Sequence, residues 1–323
     1  MTEQHRTRGA LRAAPTNRAG IGFALAAAAV SGFSVWLNGQ VVTRVEVFGD
    51  PGTYTTAKNL VAGIVVASVA AVATVSGSRA GLVRPRGSSR WLALAAVAVV
   101  GGAIPFLLFF EGLAASGSPA DAQLLHKAGL LAFVAVLGPS VLRERLGPLQ
   151  LAGVGLVLLG YWILSGDLGS LGLGSGVLLV LAASACWAAE SVIDRWLLAD
   201  VTPATVAVAR LGVGSVVLVV IGLVNGDTAR LADLGTTGWA WAALTGLVLA
   251  GYAMLWLHGL ANAQAVDVTA VLTLAAPITA LVNVGIEGTP VPSPTGLVVV
   301  AAGGLLVAVA ASMRPPGRVE WVT

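Results

Sequence analysis

The chain has 323 residues, 57% of them hydrophobic and only 10% charged. Soluble domains carry about 25% charged residues, and a soluble fold of this length has nowhere to hide so much apolar surface. The pI near 9.5 does not point to nucleic acid as a partner, because the basic residues are scattered through short segments between apolar blocks, where positive charge sets membrane topology. The sequence is that of an integral membrane protein.

In chain order, residues 1–19 form a basic tail containing Arg6, Arg8, Arg12 and Arg18. Ten apolar blocks follow, near 20–38, 54–76, 91–114, 121–142, 149–165, 174–196, 203–224, 239–260, 266–287 and 295–312, and residues 313–323 close the chain. Each block approaches the ~20 residues that span a bilayer as a helix. Runs such as Ala24–Val30 and Val154–Gly160 do not alternate as barrel strands would, so an all-α protein is expected. Turn residues punctuate the blocks at Gly49-Asp50-Pro51-Gly52, Gly147-Pro148, Thr202-Pro203 and Pro290-Val291-Pro292-Ser293-Pro294. The tail and first block resemble a cleaved secretory signal, but the internal repeat below makes that block a retained span. The single cysteine, Cys186, lies in the sixth block and reads as a buried, inert thiol.

Loop charge orients the spans. With the N-terminus in the cytoplasm, the inner segments collect Arg6, Arg8, Arg12, Arg18, Arg79, Arg84, Arg86, Arg90, Arg143, Arg145, Arg195, Arg314 and Arg318, and the outer ones only Arg44 and Arg230. An even number of spans returns the C-terminus to the same side, so both termini are expected in the cytoplasm of a cell whose inner membrane holds the protein.

The two halves resemble each other. The segment from Phe110 (FEGLAASGSPADAQLLHKAGLLAFVAVL) lies on that from Leu257 (LHGLANAQAVDVTAVLTLAAPITALVNV) without a gap, so Glu111 meets His258 and Gly112-Leu113-Ala114 meets Gly259-Leu260-Ala261. Residues 53–63 match 205–214, setting Lys58 opposite Arg210, and 22–33 match 176–187. Each repeat, 20–165 and 174–312, holds five spans, and an odd number inverts the second against the first, as in many transporters.

At these residues the chain resembles the EamA-type branch of the drug/metabolite transporter superfamily, over roughly residues 20–312. The basic residue early in the second helix of each half (Lys58, Arg210), the segment leading into the fourth helix, the Val141–Gly160 turn and Gly-rich helix, and Pro277 in the ninth helix carry the resemblance. The chain departs from it at Leu130, opposite Pro277, and at Val291-Pro292-Ser293, opposite Glu144-Arg145-Leu146. The resemblance implies a ten-helix carrier of small organic metabolites, commonly exporting them, with a substrate path between the halves formed by the first four helices of each.

Charged residues inside a lipid-facing span cost about 2.5–3.5 kcal/mol each at mid-helix, so each demands a reason. Arg210, about 10 Å past Pro203, either faces the path, pairs structurally or snorkels, and Lys58 has the same readings. Glu111 and His258 lie near opposite interfaces, where solvation is the alternative to a path role. Glu190, beside Trp187, either receives a substrate ammonium with cation–π help or links to Arg195 or Arg210. His126 and Lys127 stand just inside the fourth block, Gln123 extends their polar face, and Thr273 occupies the repeat position of His126. Lys127 pairs structurally with Glu111, attracts a substrate carboxylate while Glu111 holds it in place, or snorkels into the lipid headgroups. In the ninth helix, Thr269, Thr273, Ala276, Ala280 and Asn283 make a small, partly polar stripe that suits a path lining or close packing. Gly153, Gly155, Gly160, Gly303 and Gly304 suit contact between halves, or between protomers of a homodimer. Gly101-Gly102, Pro105 and Pro277 are expected kinks.

No metalloprotease, nucleophile-elbow or phosphate-loop pattern is present, and the three histidines form no ligand cluster, so neither metal nor cofactor is expected. The reading is a secondary transporter of a small polar metabolite, an amino acid or related compound, working by alternating access and exporting it. Glu111, Glu190, His126 and His258 are titratable groups in or near the spans, which makes a proton the expected coupling ion. The rival readings are a membrane enzyme with Glu111 and His126 as an acid–base pair, and a sensor without transport.

Overall fold

The structure, a computed structural model, describes residues 17–44, 46–115, 119–165, 174–225, 228–288 and 293–314. The two tails and residues 290–292 of the predicted turn lie outside them. Ten main helices account for most of the described residues, among which there is no strand. They are α1 (Asn17–Arg44), α2 (Pro51–Val75), α3 (Ser88–Ala115), α4 (Pro119–Leu142), α5 (Pro148–Leu164), α6 (Ser175–Leu197), α7 (Pro203–Asn225), α8 (Gly235–Asn262), α9 (Ala265–Glu287) and α10 (Pro294–Ser312). Among the described residues nine helices are long and apolar enough to cross a membrane, and α5, at 17 residues, is a shorter apolar helix.

Four helices start with a cap residue followed by proline. Asp50 accepts the Thr53 amide at 2.8 Å before Pro51, Thr202 accepts the Thr205 amide at 3.3 Å before Pro203, and Ser293 accepts the Gly296 amide at 3.3 Å before Pro294. At Gly147-Pro148 the bond reverses, the Gln150 side chain accepting the Gly147 amide at 2.8 Å. A cap gives an orphan amide its acceptor, and proline at the first turn removes another that would have none. Burial works against the charge of Asp50, but the Thr53 bonds and the Arg230 guanidinium outweigh it and hold this carboxyl below the usual carboxylate range.

Helix α1 runs past its predicted end near residue 38 because its last polar turns find partners. Asn38 accepts from the Tyr54 hydroxyl, and Trp36 and Gln40 both donate to Glu287 at the end of α9.

The halves interdigitate. Helix α1 packs on α8 and α9, and its repeat equivalent α6 packs on α3 and α4; α2 meets its own equivalent α7, and α5 meets α10. That reciprocity is a pseudo-two-fold relation, and five helices per half place its axis in the membrane plane. Arg18 Nε donates to the Ser312 carbonyl at 3.4 Å, so α1 begins and α10 ends on one side, here the terminal side; the other is the far side. Where α5 crosses α10, a Cβ on Gly153 would lie 2.6 Å from Val307 Cγ2, and one on Gly303 would lie 2.7 Å from the Gly153 carbonyl. Bare backbone lets these helices touch, joining the two halves of one chain.

The expected kinks are interruptions of the helical ladder. A wide turn at Val97–Gly101 in α3 closes through a Gly102 N–H to Val97 carbonyl bond of 3.0 Å. A second wide turn occupies Val208–Val213 in α7, and α9 is interrupted at Thr273-Leu274. Pro105 cannot supply the donor that the Gly101 carbonyl would otherwise receive, and Trp187 Nε1 supplies one at 3.2 Å. Pro277 deprives the Thr273 carbonyl of its usual donor, and the Ala276 amide, at 3.1 Å, and the Tyr161 hydroxyl, at 3.3 Å, donate to it instead.

Candidate functional site

Between the halves lies a cavity of about 130 Å³, lined by α1–α4 of the first half and α6–α9 of the second. An engineered cavity of about 150 Å³ takes up benzene, so this one is on the scale of a small molecule. Its walls change character with depth.

On the terminal side the floor is an ion pair. Arg210 Nε lies 2.6 Å from Glu190 Oε1, and both side chains are almost fully buried. The guanidinium also sits 4.7 Å from the centre of the Trp256 ring, a favourable cation–π distance. The pair fits because two residues opposite it lack side chains. A Cβ on Gly101 would lie 1.9 Å from Glu190 Oε1, and one on Gly102 would lie 1.9 Å from the Arg210 carbonyl. One helical turn beyond Glu190, the carboxyl of Asp194 is fully buried, and neither of its oxygens has a hydrogen-bond partner among the described residues.

The middle is aromatic. The Trp187 ring lies 4.8 Å from His126 and 5.2 Å from Phe106, and Phe109 lies 5.2 Å from His126. His126 is buried, with Nδ1 3.0 Å from Ser184 Oγ. Toward the far side stand Lys58 and Lys127. The Lys58 ammonium lies 4.7 Å from the Phe110 ring centre and 4.8 Å from that of Tyr54.

Polar links between the halves stand at both ends. On the terminal side, Glu144 Oε1 accepts the Ala265 amide at 2.8 Å, capping the start of α9, with Arg195 4.0 Å away. Within the second half Arg195 also donates to the Leu260 carbonyl at 2.8 Å, and across the halves Gln150 donates to Asp267. The chain turns into Glu144 through Arg143, whose φ of 54° is left-handed backbone that side chains disfavour. Burial pushes the Glu144 carboxyl up, against the pull of the Ala265 amide and Arg195. On the far side, Glu287 accepts from Trp36 at 2.8 Å and from Gln40.

The family model described as the EamA-like transporter family matches residues 18–166 and again 174–310. The chain belongs to the EamA-like transporter family. Members of this family are transporters, and the two matches coincide with the two five-helix halves. A crystal structure of a protein 17% identical to this EamA-like chain superposes with a TM-score of 0.63, over 88% of this chain and 98% of that one; it shows the fold alone. No curated protein matches the sequence.

Of the residues singled out in the EamA-like sequence, Lys58, His126, Lys127, Trp187, Glu190 and Arg210 line one cavity. Glu111 does not join them. It is exposed and borders a separate recess with Asp50, Thr53 and Thr56, so no ion pair within 4 Å links it to Lys127. His258 faces α1, bonding the Met254 carbonyl at 2.7 Å and packing 5.1 Å from Phe23. Thr273 is buried and bonds the Ala270 carbonyl at 2.5 Å, whereas Thr269 of the same stripe does reach the cavity. Gln123 lies in α4, with its side chain outside the described residues. Of the two partners considered for Glu190, Arg210 holds it and Arg195 turns to Glu144. Sequence reading passed over Asn38, Tyr252, Trp256 and Asp194. The polar spacing of Ser31, Ser34 and Asn38 along α1 was a usable signal for that wall; Tyr252 and Trp256 looked like ordinary apolar filling.

Proposed function

We propose that the protein is a secondary carrier that moves a small polar metabolite, an amino acid or related carboxylate, across the cell membrane, exporting it by alternating access. One observation carries this reading: a cavity between two inverted halves is walled by charged groups from both, Lys58 and Lys127 from the first, Glu190 and Arg210 from the second. A path used from either side in turn needs residues from both repeats, whereas a single catalytic centre does not. The rival acid–base pair of Glu111 and His126 is not assembled, since only His126 faces the cavity. The family's export habit supports outward flux, and the arginine-rich terminal-side loops support cytoplasmic termini. A proton is the coupling ion of this reading, with Glu190 and His126 among the titratable groups that face the cavity, beside Lys58, Lys127 and Tyr252.

Purified protein in liposomes tests the proposal. Preloaded, unmodified metabolite should drive uptake of its labelled form by counterflow, and an imposed pH gradient should bias net movement. A chemically altered product would favour the enzyme reading; counterflow indifferent to the pH gradient would remove proton coupling while leaving the carrier.

A further inference from the structure

Only two of the chain's 18 basic residues are lysine, Lys58 and Lys127; all the others are arginine. Both lysines line the central cavity. They take no part in the loop charge that sets topology. Arg210, the third cation of the cavity, is neutralised by Glu190 at 2.6 Å. Among the described residues the lysines have no such partner. Among the described residues no carboxylate lies within 4 Å of either ammonium, and neither makes a hydrogen bond.

Lys58 is only 3% exposed. Its ammonium is met by the faces of Tyr54 and Phe110, which attract a cation without cancelling its charge. Lys58 lies seven residues into α2 and Lys127 eight into α4, counting from Pro51 and Pro119 at the far-side ends. At 1.5 Å per residue both therefore stand about 10–12 Å below that end. They are two cations at one level, on two helices of the same half, facing one space. At the equivalent positions the second half has the already paired Arg210 and the apolar Leu274.

We infer that the cavity is built for a small organic dianion, whose two negative charges Lys58 and Lys127 share. The carbon skeleton then lies against Phe109 and Trp187, and the Glu190–Arg210 pair, neutral as a unit, forms the floor. Lysine suits the task better than arginine. Its compact ammonium on a flexible stem follows a moving ligand and releases it, where the guanidinium fork would fix it bidentately. A neutral zwitterion brings an ammonium of its own to a site with two positive charges, so the same arrangement that binds the dianion rejects it. A dicarboxylate and a phosphate monoester share the required chemistry. The inference rests on the carrier reading and puts a dianion in place of the amino acid.

Proteoliposomes preloaded with succinate or glycerol phosphate, assayed for counterflow of the labelled compound, provide the test, with acetate and alanine as competitors. At least one dianion should exchange saturably, and which one does so separates the carboxylate from the phosphate. Acetate and alanine at tenfold excess should leave the exchange unchanged. Lys58→Gln and Lys127→Gln should each raise the half-saturating concentration at least tenfold, with Lys→Arg at either position falling between. The wild-type competition does not depend on the variants folding, and gel filtration shows whether they do. Exchange of alanine without either dianion, or unchanged half-saturation in both Gln variants, overturns the dianion inference and leaves the carrier standing. No counterflow of any of the four compounds by folded protein overturns the dianion inference and counts against the carrier too.

Discussion

Glu190 and Asp194 are one turn apart on α6 and both have buried oxygens without a hydrogen bond. They differ in charge pairing: Glu190 is in contact with Arg210 at 2.6 Å, whereas among the described residues Asp194 has no ion pair within 4 Å. Breaking a buried pair by removing one member typically costs 3–5 kcal/mol, because the other charge is left uncompensated. Glu190→Gln is therefore expected to lower stability by about that much. Asp194→Asn gives up no bond and should change it by less than about 1 kcal/mol, the scale of one ordinary hydrogen bond. Thermal unfolding of the purified variants in detergent checks both; an Asp194→Asn as damaging as Glu190→Gln would show that Arg210 serves both acids. The two residues also mark how far side-chain roles were legible. Glu190 stands out in the sequence because it is acidic, deep in a span and beside Trp187, but the choice between Arg195 and Arg210 needed the packing of α7 against α6. Asp194 lies near the end of its block, where a carboxylate reads as interfacial, and only the surrounding helices show it to be buried.

At the scale of elements, boundaries were legible where local chemistry sets them. Cap-and-proline starts recur at α2 and α7, and again at α5 and α10, so each half carries the same punctuation. Interruptions were legible only in part: Pro105 and Pro277 announce a break, but a side chain that helps to mend it comes from another helix. The mends are Trp187 on the Gly101 carbonyl and the Tyr161 hydroxyl on the Thr273 carbonyl. Hydrogen bonds between membrane helices average about 0.6 kcal/mol and reach about 1.7. Tyr161→Phe should therefore lower stability by roughly 0.5–1.5 kcal/mol and leave substrate half-saturation unchanged, since Tyr161 does not line the cavity. Trp187→Phe removes a comparable bond and also part of a cavity wall, so it should weaken both stability and substrate binding. Equal effects of the two changes on half-saturation, read by counterflow, would mean that α9 transmits its shape to the site.

For the whole molecule, the repeat made the architecture legible, because an odd number of spans per half dictates inversion and reciprocal packing follows. The repeat did not reveal the polar links at each end, since these use residues the halves do not share. Glu144 stands opposite Val291, and Glu287 closes a helix whose equivalent, α4, ends in Leu142. Both acids grip α9 or its neighbours across the boundary between halves: Glu144 caps the start of α9, and Glu287 at its end holds Trp36 and Gln40 of α1. For the cavity to open to one side, the link on that side must give way while the other holds. Removing a helix cap costs about 1 kcal/mol, enough to shift a two-state equilibrium about fivefold. A reporter cysteine at Ser31, on the cavity wall, in a Cys186→Ala background reads this shift through an impermeant thiol reagent. Glu144→Ala should raise its labelling from the terminal side several-fold and lower it from the far side, and Glu287→Ala should do the reverse. Equal changes from both sides in either variant would show a loosened fold rather than a gate, and would leave alternating access without its latches.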